Sequence, residues 1–144
     1  MAKRRDRKLG FAAWKRYIEG LRPPPLEHLI VAALFVEEEP PPARRDEPIW
    51  YVAVLLALDF CAQTARYQWA RFDVAFFAGA HVAAHFWGKP REKQRLFDAL
   101  GLFFGWLRTT GAIDYDTLEK LRANVFAAKN PVERDGIVYY SNIR

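Results

Sequence analysis

"IWYVAVLLALDFCAQTARYQWARF" (49–72) is the stretch on which the fold turns. It is long enough for about six helical turns at 3.6 residues each. Its later half is apolar on two sides, with Leu56, Phe60 and Tyr67 on one and Leu58, Ala65, Trp69 and Phe72 on the other. A helix of that kind needs cover on both flanks, so it is placed at the centre of a bundle.

Helical spacing continues outward on both sides. In "GFAAWKRYIEGL" (10–21), Phe11, Trp14, Ile18 and Leu21 recur at i, i+3, i+7 and i+10 opposite Lys15 and Glu19, a short amphipathic helix. "LEHLIVAALFVE" (26–37) follows as a second, mostly apolar helix. Beyond the central stretch, "DVAFFAGAHVAAHFW" (73–87) starts a new helix capped by Asp73, since ordinary helix lengths favour a break there. From Pro90 to Thr110, Leu96, Leu100, Phe103 and Leu107 form one stripe that Phe97 and Phe104 widen, and Gly111 stops it. Asp116, with Glu119 three residues on, reads as the next N-cap, and Leu118, Leu121, Val125 and Ala128 as its stripe before Asn130-Pro131. "GLFFG" (101–105) has the spacing of a close helix crossing.

Prolines punctuate this pattern. "RPPP" (22–25) ends what precedes it, and "EEEPPPARRDEP" (37–48) holds four prolines in twelve residues, which forbids a helix and makes a solvated connector. The expected architecture is all-α: a compact bundle of about five or six helices over residues 11–130, with a basic arm at 1–10 and an extended tail at 131–144. In that tail Asp135-Gly136 is a hairpin-type turn and Ile137, Val138, Tyr139 and Tyr140 are β-prone. An isolated hairpin is marginal in water, so these four residues are candidates for docking on the bundle, on another subunit or on a partner.

A chain of 144 residues, 51% hydrophobic and 27% charged, suits one globular domain with a single core. The +5 charge is local. Residues 1–24 carry eight basic side chains against two acidic ones, whereas the remaining 120 carry 14 against 15. A neutral body with a basic arm points to an electrostatic tether. One cysteine, Cys61, allows no internal disulfide and no Cys-rich zinc module, which fits a reducing, cytoplasmic setting. No secretory leader is expected from the charge-interrupted N-terminus. "YVAVLLAL" (51–58) and "VAFFAGAHVAAHFW" (74–87) are shorter than the ~20 residues that span a bilayer, so no transmembrane segment is expected.

Little in the chain reads as catalytic. His81 and His85 lie one helical turn apart among apolar residues. A metal there needs His28, with Asp59 or Glu27 supplying an oxygen, and HVAAH lacks the glutamate of H-E-x-x-H. The plainer reading is a neutral pair in a core or subunit interface, each ring bonded to a carbonyl or a water. Ser141, the only serine, follows no nucleophile elbow, and Cys61 reads as a packed thiol. Asp59, Gln63, Arg66 and Asp73 align as a polar stripe along the central stretch. No metal, cofactor or catalytic residue is assigned.

The basic arm carries the functional expectation. Lys3, Arg4, Arg5, Arg7 and Lys8 can bind a polyanion by releasing its counterions, while Trp14, Lys15 and Arg16 offer charge beside an aromatic face. The expected function is a non-enzymatic helical subunit or adaptor of a larger assembly, a nucleoprotein one included, with protein partners or self-association. Two alternatives stand beside it: a metal- or ligand-binding helical enzyme using His81, His85 and the Asp59 stripe, and a peripheral membrane protein acting through the 11–21 helix.

Overall fold

The computed structural model describes residues 13–134 and 137–139. Five helices make up this part of the chain: α1 (Leu26–Glu38), α2 (Glu47–Ala65), α3 (Val74–His85), α4 (Pro90–Thr109) and α5 (Tyr115–Lys129). The all-α bundle read from the spacing is therefore the fold.

The central helix is α2. From Pro48 through Leu58 each of its residues is buried. Helices α1 and α4 pack against it, α5 lies on α4, and the first turn of α3 reaches α5. Rings join the layers: Phe35 of α1 meets Phe103 and Trp106 of α4 edge-on, and Phe60 of α2 meets Phe77 of α3 at 5.4 Å. Such edge-to-face pairs add to the burial of apolar area that holds the helices together. Polar pins supplement them, because Trp106 Nε1 donates to Glu38 and Arg95 pairs with the buried Asp46 just before α2.

The central helix ends sooner than its spacing suggests. It stops at Ala65, and Arg66 (φ 49°) and Tyr67 (φ 63°) both take the left-handed conformation, which is uncommon for bulky side chains. The Tyr67 amide then bonds back to the Cys61 carbonyl at 3.1 Å. Trp69 and Phe72 still enter the core, but from a short 3₁₀ turn (Trp69–Arg71) and not from a helix face, while Tyr67 turns out to solvent. Asp73 caps α3 as expected, accepting from the Phe76 amide at 3.0 Å. The next cap is shifted: Asp114, not Asp116, accepts from the Thr117 amide and starts α5. Gly111 (φ 84°) ends the turn after α4, as its position suggested. A Cβ placed on Gly101 would meet Val125 at 3.9 Å and one on Gly105 would press on Arg122, so the GLFFG spacing marks the α4–α5 crossing.

The N-terminal helix expected over 11–21 does not form among residues 13–21. Only Trp14–Tyr17 makes a 3₁₀ turn, after which the chain is extended and Ile18 bridges Phe86 in antiparallel fashion. Glu19 donates to the His85 carbonyl at 2.9 Å and Trp87 donates to the Tyr17 carbonyl at 2.7 Å. A helix this short is marginal by itself. The extended path gives the Glu19 amide and the Tyr17 carbonyl partners on the far side, and Gly20 (φ 68°) with the prolines behind it breaks any helix. In the tail, Val132–Arg134 pairs antiparallel with Ile137–Tyr139, and Tyr140 lies outside the described residues.

One stretch revises the expectation about membranes. Arg44–Ala65, which is α2 with the turn before it, is long and apolar enough to cross a bilayer, and 78% of that apolar window is buried inside the protein.

Candidate functional site

Helix α3 does not keep a regular α geometry. Phe77–Val82 widens into a π-helix between single α turns, a form that concentrates at functional positions. The widening carries His81 toward α2, where its Nε2 lies 3.1 Å from Asp59 Oδ2. That is ion-pair distance without hydrogen-bond alignment. Both Asp59 oxygens also accept from the Gln63 amide at 3.0 Å. The rings of Phe77 and Phe60 flank His81, and His85 meets it edge-on at 4.8 Å. Nδ1 of His85 bonds the Glu19 carbonyl at 3.0 Å, so this histidine pins the N-terminal strand to the bundle.

The electrostatics follow from this packing. Burial pushes the His81 pKa below the usual histidine value, the Asp59 carboxylate opposes that, and His85 adds to it. A neutral imidazole results at neutral pH. His28 on α1 behaves similarly: burial lowers its pKa against the raising charges of Asp59 and Glu27, and its Nε2 bonds the Tyr67 hydroxyl at 2.8 Å. The polar stripe thus reduces to Asp59 and Gln63, to which the fold adds His81; Arg66 sits on the left-handed turn and Asp73 caps α3.

Among the described residues, no three histidine, cysteine or acidic side chains form a group that could hold a metal ion. His28 is turned to Tyr67 and His85 to a carbonyl, so His28, His81, His85, Asp59 and Glu27 do not converge. The Nε2 atom of His81 is also buried, leaving no open position beside it for a reacting group. Cys61 is fully buried, and its thiol pKa is pushed up to about 12 by that burial, as for an inert packed thiol.

Of the residues assigned to nucleic acid, Lys3, Arg4, Arg5, Arg7 and Lys8 lie outside the described residues. Trp14 is only 6% exposed and belongs to the core, so it offers no face to a base. Its neighbour Lys15 is exposed with its ammonium 5.9 Å from the indole centroid. Arg16 lies over the Tyr17 ring and donates to the Tyr17 hydroxyl at 3.0 Å. Tyr17 in turn donates to Glu92 at 2.7 Å. Lys15 and Arg22 flank a hollow of 410 Å³ whose apolar lining includes Ile18, Leu21 and Leu29. Of the tail residues assigned to a partner, Ile137, Val138 and Tyr139 form the second strand of the hairpin, paired to the first.

One surface escaped the sequence reading. On α1, His28, Ala32, Phe35 and Val36 face the core, while Leu26, Ile30 and Leu34 are 68%, 50% and 46% exposed. These three recur every four residues and make a continuous apolar stripe down the outer face. The only signal was that four-residue repeat, and in a helix apolar all round it names no outer side. No protein-family model matches the chain, and comparisons with curated proteins and with solved structures return no match.

Proposed function

We propose that this protein is a non-enzymatic helical adaptor. It binds protein through the outer face of α1 and contacts nucleic acid through the basic arm of residues 3–8, with Lys15 extending the positive surface onto the folded body. The observation that carries this reading is the exposed Leu26–Ile30–Leu34 stripe, since a helix whose two faces are both apolar has one face to spare for a partner. The charge distribution supports the second contact, because the arm holds the excess of positive charge on an otherwise neutral chain. An enzymatic reading through the histidines gains nothing from a His81 whose Nε2 is enclosed. The membrane reading through an 11–21 helix has no helix to rest on over residues 13–21.

Fluorescence anisotropy with a labelled 20-nucleotide single strand and its duplex, between 50 and 200 mM salt, tests the arm. Five phosphate contacts predict a loss of affinity on the order of 10²-fold across that range. Deleting residues 2–8 should remove most of both the binding and its salt dependence. Binding that ignores the deletion refutes the role given to the arm.

A further inference from the structure

We propose that the outer face of α1 pairs with the same face of a second copy, antiparallel, about a two-fold axis at Ile30. This inference deepens the adaptor reading and rests on it, naming the protein partner as the chain itself.

The residue order is self-complementary about that point. Leu26 and Leu34 lie four residues to either side of Ile30. An antiparallel partner therefore lays its Leu34 on Leu26 and its Leu26 on Leu34, with the two Ile30 side chains touching at the axis. A symmetric interface of this kind needs one patch that fits itself.

Charge selects the direction. Near its N-terminal half α1 is accompanied by Lys15 and Arg22, which flank the hollow that Leu29 also lines. Its other end carries the exposed Glu39 beyond Glu38, which accepts from Trp106, and the last turn holds no basic residue. Acidic groups at a helix C-terminus are the less favourable sign for the helix dipole, so a cation brought there by a partner improves the arrangement. Antiparallel pairing sets the basic end of each copy on the acidic end of the other, twice. Parallel pairing sets like ends together.

Three partly exposed side chains per copy make a small interface beside the roughly 1,200 Å² of a stable complex, so the pairing is a weak one that forms at raised protein concentration. The dimer would carry two basic arms, so that one nucleic acid engages both and the second contact forms at raised effective concentration.

Light scattering coupled to size exclusion, on the full chain from about 5 to about 200 µM, reads the mass. We expect it to rise from near 16.7 kDa towards twice that value. Ile30→Glu, at a half-exposed position, should keep the helical circular dichroism and stay monomeric throughout. Arg22→Glu and Glu39→Arg should each weaken self-association about tenfold, by turning opposed charges into like ones at two places. Mixing these two variants restores Glu–Arg pairs at both ends, so the equimolar mixture should regain the dimer.

A wild-type chain that stays at 16.7 kDa at the highest concentration, an Ile30→Glu chain that dimerises normally, or a mixture no better than its components would each overturn the pairing. Anisotropy on the same samples keeps the two readings apart. A monomeric wild type that still binds the labelled strand through residues 2–8 rejects the dimer alone, and an intact dimer without that binding rejects the nucleic-acid role alone.

Discussion

Lowering the pH from 7.5 to 5.5 should destabilise this protein, and His81 should account for about half of the loss. His28 is buried, His81 is largely enclosed with its side chain 10% exposed, and both are held below the ordinary histidine pKa, with desolvation the largest cause in each case. As pH falls below about 6.5 the unfolded chain therefore takes up protons that the folded protein refuses, and stability falls until the folded-state value is passed. A ring that stayed wholly neutral in the fold would contribute a loss of about 1.4 kcal/mol by pH 5.5, so the two rings set a ceiling of about 2.7 kcal/mol. For a domain of this size that ceiling is roughly 9 °C in melting temperature. Glu92, held below the usual carboxylate range chiefly by the Lys89 amide, loses its contribution only at lower pH, so it does not confuse the window. The assay is thermal denaturation by circular dichroism at half-unit pH steps, for wild type, His81→Gln and His28→Gln. Each variant should show about half the wild-type slope. A wild-type melting temperature that is flat or rises towards pH 5.5, or a His81→Gln variant with the full slope, would refute the assignment of a neutral buried ring.

Phe35→Ala should cost about 3–5 kcal/mol in urea denaturation, because a fully buried ring that joins α1 to Phe103 and Trp106 leaves a cavity at the α1–α4 contact. Asp114→Ala should lower the melting temperature measurably and Asp116→Ala much less, since the first residue and not the second accepts from the Thr117 amide; equal losses would return the cap to Asp116. Cys61, with its thiol pushed up to about 12 and fully buried, should react with a thiol reagent at pH 8 only as fast as the protein unfolds. Prompt stoichiometric labelling of the folded protein would show an accessible thiol instead.

Much of the helical pattern was legible because periodicity is local. Leu96, Leu100, Phe103 and Leu107 announce one face of α4, and Leu118, Leu121, Val125 and Ala128 one face of α5, whatever the rest of the chain does. The two miscast elements failed for the opposite reason. Residues 14–21 have helical spacing, yet the Glu19 amide finds the His85 carbonyl at the end of α3 and the Tyr17 carbonyl accepts from the Trp87 amide, partners more than sixty residues away in sequence. Residues 66–72 continue the apolar pattern of α2, yet Arg66 and Tyr67 turn left-handed so that Trp69 can reach Phe103 and Phe104.

The candidate site divides in the same way. His81 and His85 stood out from their spacing, and Asp59 and Gln63 from theirs, but that Asp59 meets His81 and that His28 turns to Tyr67 depends on how α1, α2 and α3 are laid together. Hydrophobic spacing, proline placement and charge order are properties of neighbouring residues, and by themselves they determined an all-α bundle, a central helix and a basic N-terminal end. Which apolar side of α1 stays uncovered, and which histidine nitrogen is enclosed, was decided only when distant segments competed for the same surface. That competition is a matter of packing volume and of partners for buried polar atoms, and neither is written in any one stretch of the chain.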